Sequence, residues 1–366
     1  MQSQSLVNQI AITLIPGVGD VLAKNLISYC GGVDQVFKAK RTQLMKIPGI
    51  GEKIANSVVS FKAFEKAEQE VGFIEKHKVK PLFYLHDNYP SRLKQVEDAP
   101  VMLYYLGNGD LNNAKIVGIV GTRKASDYGK TCTEELINGL AETGCLILSG
   151  LAFGIDIQAH RSALKYNLPT VGVLAHGLDR IYPAIHTATA KKMIDNGGLL
   201  TEFMSGSIPD RENFPKRNRI VAALCDVLVV VETAERGGAM ITAELANGYN
   251  KDVASFPGRV NDEYSKGCNK LIKANKATLV TNTEDLYYLM GWNSSKPIPK
   301  IQQSLPLDLS MDDLAIYEFI KSKTKVAIDE IAFFFQVDSS NLSLQLLEME
   351  FKGHIRTLPG KVYELI

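Results

Sequence analysis

Seven short apolar runs rich in β-branched residues, separated by helical patterns, fill the chain from Lys115 to about Met290. No other feature restricts the fold as strongly. The runs fall at 116–120, 145–149, 170–174, 198–201, 227–231, 253–255 and 278–280, with helical periodicity at 127–142, 156–166, 184–196, 215–224, 239–250, 268–274 and 283–290. Runs this short and this uniformly apolar predict strands buried on both faces. Their alternation with helices predicts an α/β fold, a doubly wound parallel sheet with helices on both sides. In such sheets ligands bind at the carboxyl ends of the strands.

Those ends are polar and glycine-rich here. The first run, Ile116–Val120, delivers Gly121, Thr122, Arg123 and Lys124 to the start of a helix that Ser126 or Asp127 can cap. Unpaired backbone N–H groups and the helix dipole suit such a turn to a phosphate. Arg123, Lys124, Arg180, Arg217, Arg219 and Arg236 all fall on strand-end segments, and the fold is expected to bring several of them to one rim. Ser149, Gly150, Lys216, Asn218, Gly237 and Gly238 lie on the same segments and join them as candidates for phosphate contact, with Phe153 and Phe214 as candidates for base stacking or core. A row of arginines there can track a nucleic-acid backbone.

Three other chemistries fit poorly. A nicotinamide dinucleotide needs GxGxxG and an acid ending the second strand, but Gly118 and Gly121 are offset wrongly and that strand ends in Ser149-Gly150. The tempting Gly129-Lys130-Thr131 has Lys124 where a phosphate-binding loop needs glycine, and it lies inside a helix. Ser149, Asp156 and His160 lack the GxSxG elbow of a hydrolase, and Asp156 and His160 are expected to pair with each other at helical spacing. Glu202, Glu232, Glu244 and His176 make no recognisable metal set. Neither a cofactor nor a metal is expected.

The flanks differ in pattern. Ile15-Pro-Gly-Val-Gly19 recurs as Ile47-Pro-Gly-Ile-Gly51, each between two helical patterns, with Lys24 and Lys53 nearby. This resembles tandem helix-hairpin-helix motifs, which offer backbone N–H groups to DNA phosphates. The expected domains are a helical domain over 1–65, a connecting segment with edge strands over 66–114, a central domain over 115–291, a linker over 292–308 and a terminal domain over 309–366. Three helical patterns and a strand–turn–strand around Pro359-Gly360 make that last domain a winged helix. Its third helix carries Glu348 and Glu350 and no base, which favours a docking or structural role over reading duplex DNA.

The net charge of +1 confines any nucleic-acid site to a local patch. Five scattered cysteines without a CxxC pair suggest reduced, buried thiols in a cytoplasmic protein. No apolar run approaches a membrane span, and the N-terminus lacks a basic leader region.

The segments GTRKASDYG, SGLAFGIDIQAHRSAL, HGLDRIYP, FPKRNRIVAALCDVLVVVETAERGGAMITAELA and FPGRVNDEYSKGCNKLIKANKA resemble, in order, the DNA-processing family DprA, also called Smf. The resemblance implies an extended Rossmann-like domain that binds single-stranded DNA. It further implies a homodimer, with its surface near Lys266–Val280, that loads the recombinase RecA in natural transformation and is not an enzyme. The family's G-[ST]-R-[RK] phosphate turn falls on Gly121–Lys124, and its FPKRNR segment on Phe214–Arg219. A rival stays open. Relatives of this fold that act on nucleotides carry PGGxGTxxE, and Arg236–Glu244 here lacks its leading proline and its GT.

Overall fold

The computed structural model describes residues 2–292, 309–323, 325–358 and 361–365; residues 293–308 of the expected linker and the expected Pro359-Gly360 turn lie outside them. Residues 1–295 form one compact unit and 296–366 another.

The first unit is built on a nine-stranded sheet. Its strands are β1 (Lys80–Phe83), β2 (Met102–Gly107), β3 (Ile116–Val120), β4 (Leu146–Ser149), β5 (Thr170–Val173), β6 (Gly197–Thr201), β7 (Val227–Val230), β8 (Asp252–Ser255) and β9 (Thr278–Leu279). The spatial order is β1-β2-β6-β5-β4-β3-β7-β8-β9. The seven expected strands pair in parallel, and β1 and β2 add an antiparallel edge on β6. From β3 the chain winds one way through β4, β5 and β6, then returns to build β7, β8 and β9 on the other side. The reversal between β3 and β7 is the topological switch point, where open α/β sheets hold ligands.

Alternate residues of each strand feed opposite faces. Ile116, Val120, Leu146, Leu148, Leu228 and Val230 pack with Ile220–Leu224 and Ala239–Ala246 on one side. Val117, Ile119, Ile147, Val227 and Val229 pack with Leu136, Ile137, Ala159 and Ala163 on the other. Both sides are apolar, which is why the strands read as continuous runs.

The helical module packs on the antiparallel edge, its core running from Val7 through Ala67, Val71 and Ile74 into Phe83, Val101, Met102 and Tyr104. Both hairpins turn at a left-handed glycine, Gly17 and Gly49, each with φ +82°. The helix after the second hairpin runs Glu52–Val59, and the next is Phe64–His77. Ser60 caps the former by donating its hydroxyl to the Asn56 carbonyl (2.7 Å), and Phe61 turns in against Phe37 and Phe64.

The second unit has helices Met311–Lys323, Ile328–Phe335 and Ser339–Phe351 and a three-stranded antiparallel sheet, β10 (Val326–Ala327), β11 (Ile355–Leu358) and β12 (Val362–Leu365), ordered β10-β12-β11. Ile316, Ile320, Ile331, Leu342, Leu346 and Ile355 form its core, a winged helix. The chain therefore carries a doubly wound α/β domain between a helix-hairpin-helix module and a winged-helix domain. Among the described residues no helix is long and apolar enough to cross a membrane. All five cysteines are free; four are buried and Cys30 is half-buried.

Candidate nucleic-acid interface

The turn after β3 is braced from two sides. Thr122 donates its N–H to the Glu232 carbonyl (2.7 Å), and Ile155 donates its N–H to the Thr122 carbonyl (3.2 Å). Ser126 caps the helix Asp127–Gly139, its hydroxyl accepting from the Gly129 N–H (3.1 Å). The Glu232 carboxylate accepts from the Ser126 N–H (2.9 Å) and hydroxyl. A carboxylate and a capped helix thus hold the turn rigid.

A cleft of about 330 Å³ opens at the switch point, lined by Gly121–Lys124 from β3, Gly150 after β4, Phe214, Arg217 and Asn218, and Arg236–Gly238 after β7. Arg123 lies over the Phe214 ring, 5.2 Å from its centroid. Lys124 and Arg236 are exposed and enter no ion pair among the described residues. Gly237 sits at the N-cap of the helix Gly238–Gly248, and no atom comes within 3.4 Å of where a Cβ on Gly237 or Gly238 would stand. Free cations, a helix N-terminus and open backbone together favour an anion.

Several candidates play other parts. Arg217 is buried beneath the cleft and donates from Nη1 to the carbonyls of Gly150 (2.5 Å) and Val173 (2.6 Å). Gly150 is glycine because Arg217 lies flat on it: a Cβ there would stand 1.9 Å from Nη1. Asp156 faces Arg217; burial raises its carboxyl pKa and the guanidinium opposes that shift. Ser149 is fully buried and donates its hydroxyl to the Ile119 carbonyl (2.6 Å), so it is closed to a ligand. Asp156 and His160 do not pair as expected. His160 is buried with Nδ1 on the Thr170 hydroxyl (2.7 Å), and burial lowers its pKa to about 3, so it packs as a neutral ring. Arg180 is exposed and chelated by its neighbour Asp179 (2.8 and 3.0 Å), away from the cleft lining.

Arg219 and Lys216 do not join that rim either. They line a second cleft of about 610 Å³ against the first hairpin. Arg219 is held by Asp20 (3.0 Å), by the Glu202 carboxylate and by the Asp98 carbonyl. Burial pushes the Glu202 carboxyl up to about 7, against the pull of Arg219. Asp20 also accepts from the Val101 N–H (2.8 Å), Lys24 donates to the Glu97 carbonyl (2.7 Å), and Glu70 accepts from the Ser205 N–H (3.0 Å) and hydroxyl. This network ties the hairpin module to the sheet. Sequence reasoning missed it because no local pattern reports these partners. It also missed Tyr182, which stands 6.4 Å from Phe214, ring to ring.

The DNA recombination-mediator protein A model matches residues 80–291, a helix-hairpin-helix model 10–71 and the DprA winged-helix model 302–361. The chain is 36% identical over 289 residues to Protein Smf of Synechocystis, covering 77% of this chain and 72% of that protein. It is 40% identical over 202 residues to DNA processing protein DprA of Streptococcus pneumoniae, covering 55% and 71%. The X-ray structure of DprA from Streptococcus pneumoniae matches with TM-score 0.58 at 31% identity, over 74% of this chain and 98% of that one. A structure describing the single-stranded DNA binding mode of DNA processing protein A from Helicobacter pylori matches with TM-score 0.53 at 31% identity, over 58% and 95%. The chain belongs to the DNA recombination-mediator protein A family, the DprA or Smf proteins.

Proposed function

We propose that this protein binds single-stranded DNA without reading its sequence, holding a backbone phosphate at Gly121–Lys124. The carrying observation is that Arg123, Lys124 and Arg236 surround open backbone at the switch point and enter no ion pair among the described residues, the one carboxylate in the lining, Asp156, being buried beneath Arg217. The Helicobacter relative, studied for its single-stranded DNA binding mode, supports the same ligand. A homodimer through the central domain would join two clefts into a longer track. Such a protein, acting in the cytoplasm, would shield incoming strands and pass them to RecA during DNA uptake, without catalysis.

The rival reading, a nucleotide or nucleoside-phosphate hydrolase, needs a carboxylate over the bound phosphate. The residue in the family position for it, Glu244, is half-exposed and paired with Lys276 (2.7 Å) outside the cleft lining. Binding of single- and double-stranded oligonucleotides across a salt series separates the two. Single-strand affinity should fall with salt, with a slope of about 0.7 per phosphate contacted. Salt-insensitive binding of a mononucleotide with release of base or phosphate would overturn the proposal.

A further inference from the structure

The winged-helix unit carries a face that the strand-binding cleft does not use. A winged helix that reads duplex DNA does so with its third helix. Here that helix, Ser339–Phe351, turns Leu342, Leu346 and Met349 into the core. Its opposite side presents Leu344, Leu347 and Phe351, which are 64%, 48% and 84% exposed. Spacings of three and four set them on one stripe. Burying a side chain of this size is worth about 1.5–3 kcal/mol. Exposed apolar residues scattered singly need no explanation, but three aligned on one helix face mark a surface that docks something.

Charge says what that surface takes. From Ile328 to Phe351, two helices and the turn between them, the sequence holds Asp329, Glu330, Asp338, Glu348 and Glu350 and no lysine, arginine or histidine. A phosphate backbone would be repelled there. Glu348 lies on the apolar stripe, one turn from Leu344 and from Phe351. It is exposed and enters no ion pair among the described residues. The last turn of a helix disfavours acids, because the dipole is already negative there. Glu350, in the same turn, is offset by the Thr357 N–H (2.8 Å) and hydroxyl (2.7 Å), whereas no such donor reaches Glu348 among the described residues. The preceding helix, Ile328–Phe335, repeats the composition: Phe333, 88% exposed, lies one turn from Asp329 and Glu330.

We propose that this face docks a basic amphipathic helix of a partner protein, with apolar anchors on Leu344, Leu347 and Phe351 and a lysine or arginine against Glu348. From Leu344 to Phe351 the stripe is about 10 Å long, two turns of helix. That length matches anchors at i, i+3 or i+4, and i+7 on the partner. A helix face has no free backbone for an extended peptide to pair with, so another helix is the complementary form. The apolar stripe supplies the affinity, and the unpaired acid selects the sign of the partner's charge. A second copy of this chain is the poorer occupant, because a two-fold pairing would set an acidic face with no base against itself. The surface is independent of the phosphate cleft and stands whatever that cleft binds.

The test uses two synthetic helical peptides of about 18 residues, five turns. One carries leucine on one face and lysine on the other; the second has glutamate in place of lysine. Each is titrated by fluorescence anisotropy against the full chain and against Leu347→Ser and Glu348→Lys. Both side chains are exposed, and an unchanged melting curve confirms folding. The lysine peptide should bind about tenfold tighter than the glutamate peptide. Leu347→Ser should weaken the lysine peptide about fivefold, as the loss of one apolar anchor requires. Glu348→Lys should narrow the gap between the two peptides, and neither variant should change single-strand affinity. No binding of the lysine peptide, equal binding of both peptides, or binding that neither variant moves overturns the proposal. A lower solution mass for Leu347→Ser would assign the face to a second copy, and a loss of duplex DNA affinity in the same variant would assign it to DNA; either result also overturns it.

Discussion

The helix Asn213–Leu224 separates two clefts that look alike in sequence and behave differently. Phe214, Arg217, Asn218 and Val221, at spacings of three and four, face the cleft at the switch point. Lys216 and Arg219 face the other, against the first hairpin. The second cleft is nearly twice as large, yet its guanidinium is taken up by Asp20, Glu202 and the Asp98 carbonyl. The smaller one keeps Lys124 and Arg236 open to solvent. What marks a ligand site here is unspent charge beside open backbone. One basic motif serves both binding and domain docking, and helical spacing decides which residue does which.

The largest effect that would break this contrast concerns Arg219→Ala. Removing the guanidinium strands two acids, a loss of about 3–5 kcal/mol for a buried pair. Chemical denaturation should show it, with the penalty growing as pH rises and Glu202 ionises. An unchanged midpoint would mean that the second cleft is not a docking lock.

The next effect is a pH dependence from Glu202 itself. Its folded pKa of about 7 lies above its unfolded value near 4.5, so the folded state holds the extra proton between them. That stabilisation is fully present below pH 4.5 and is lost as pH rises through about 7, amounting to about 3 kcal/mol. Glu202→Gln should flatten stability across this window; a slope as steep as the original would place its source elsewhere.

Arg123→Ala comes third. Losing a charge-assisted contact worth about 1.5–3 kcal/mol should weaken single-strand binding about ten- to hundredfold at unchanged stability. The smallest effect should come from Glu244→Gln. Its pair with Lys276 is about half-exposed, and such pairs contribute at most about 1 kcal/mol. Strand affinity should not move, whereas a hydrolase would lose its turnover.

Much of this was legible in the chain. The seven parallel strands, the Ser126 cap and the turns at Gly17 and Gly49 follow from local pattern, because each is settled by neighbours in sequence. The burial of Arg217, expected on the rim, was missed although a local pattern carries it. In FPKRNRIVAAL it falls on the stripe of Ile220, Val221 and Leu224, which is the core face of the helix. No local pattern carries the fate of Arg219. Its partners stand 17, 121 and 199 positions away, and it takes the sheet to bring Glu202 and Asp98 to it and the docking of the hairpin module to add Asp20. The same distance effect hid Tyr182, whose ring reaches Phe214 across 32 positions of chain.

The most direct measurement is a crossed pair: single-strand affinity and unfolding free energy for Arg123→Ala and Arg219→Ala side by side. Arg123→Ala is expected to lose affinity and keep stability, and Arg219→Ala to lose stability and keep the affinity of its folded fraction. The reverse pattern, with strand binding lost through Arg219 and untouched by Arg123, would contradict it.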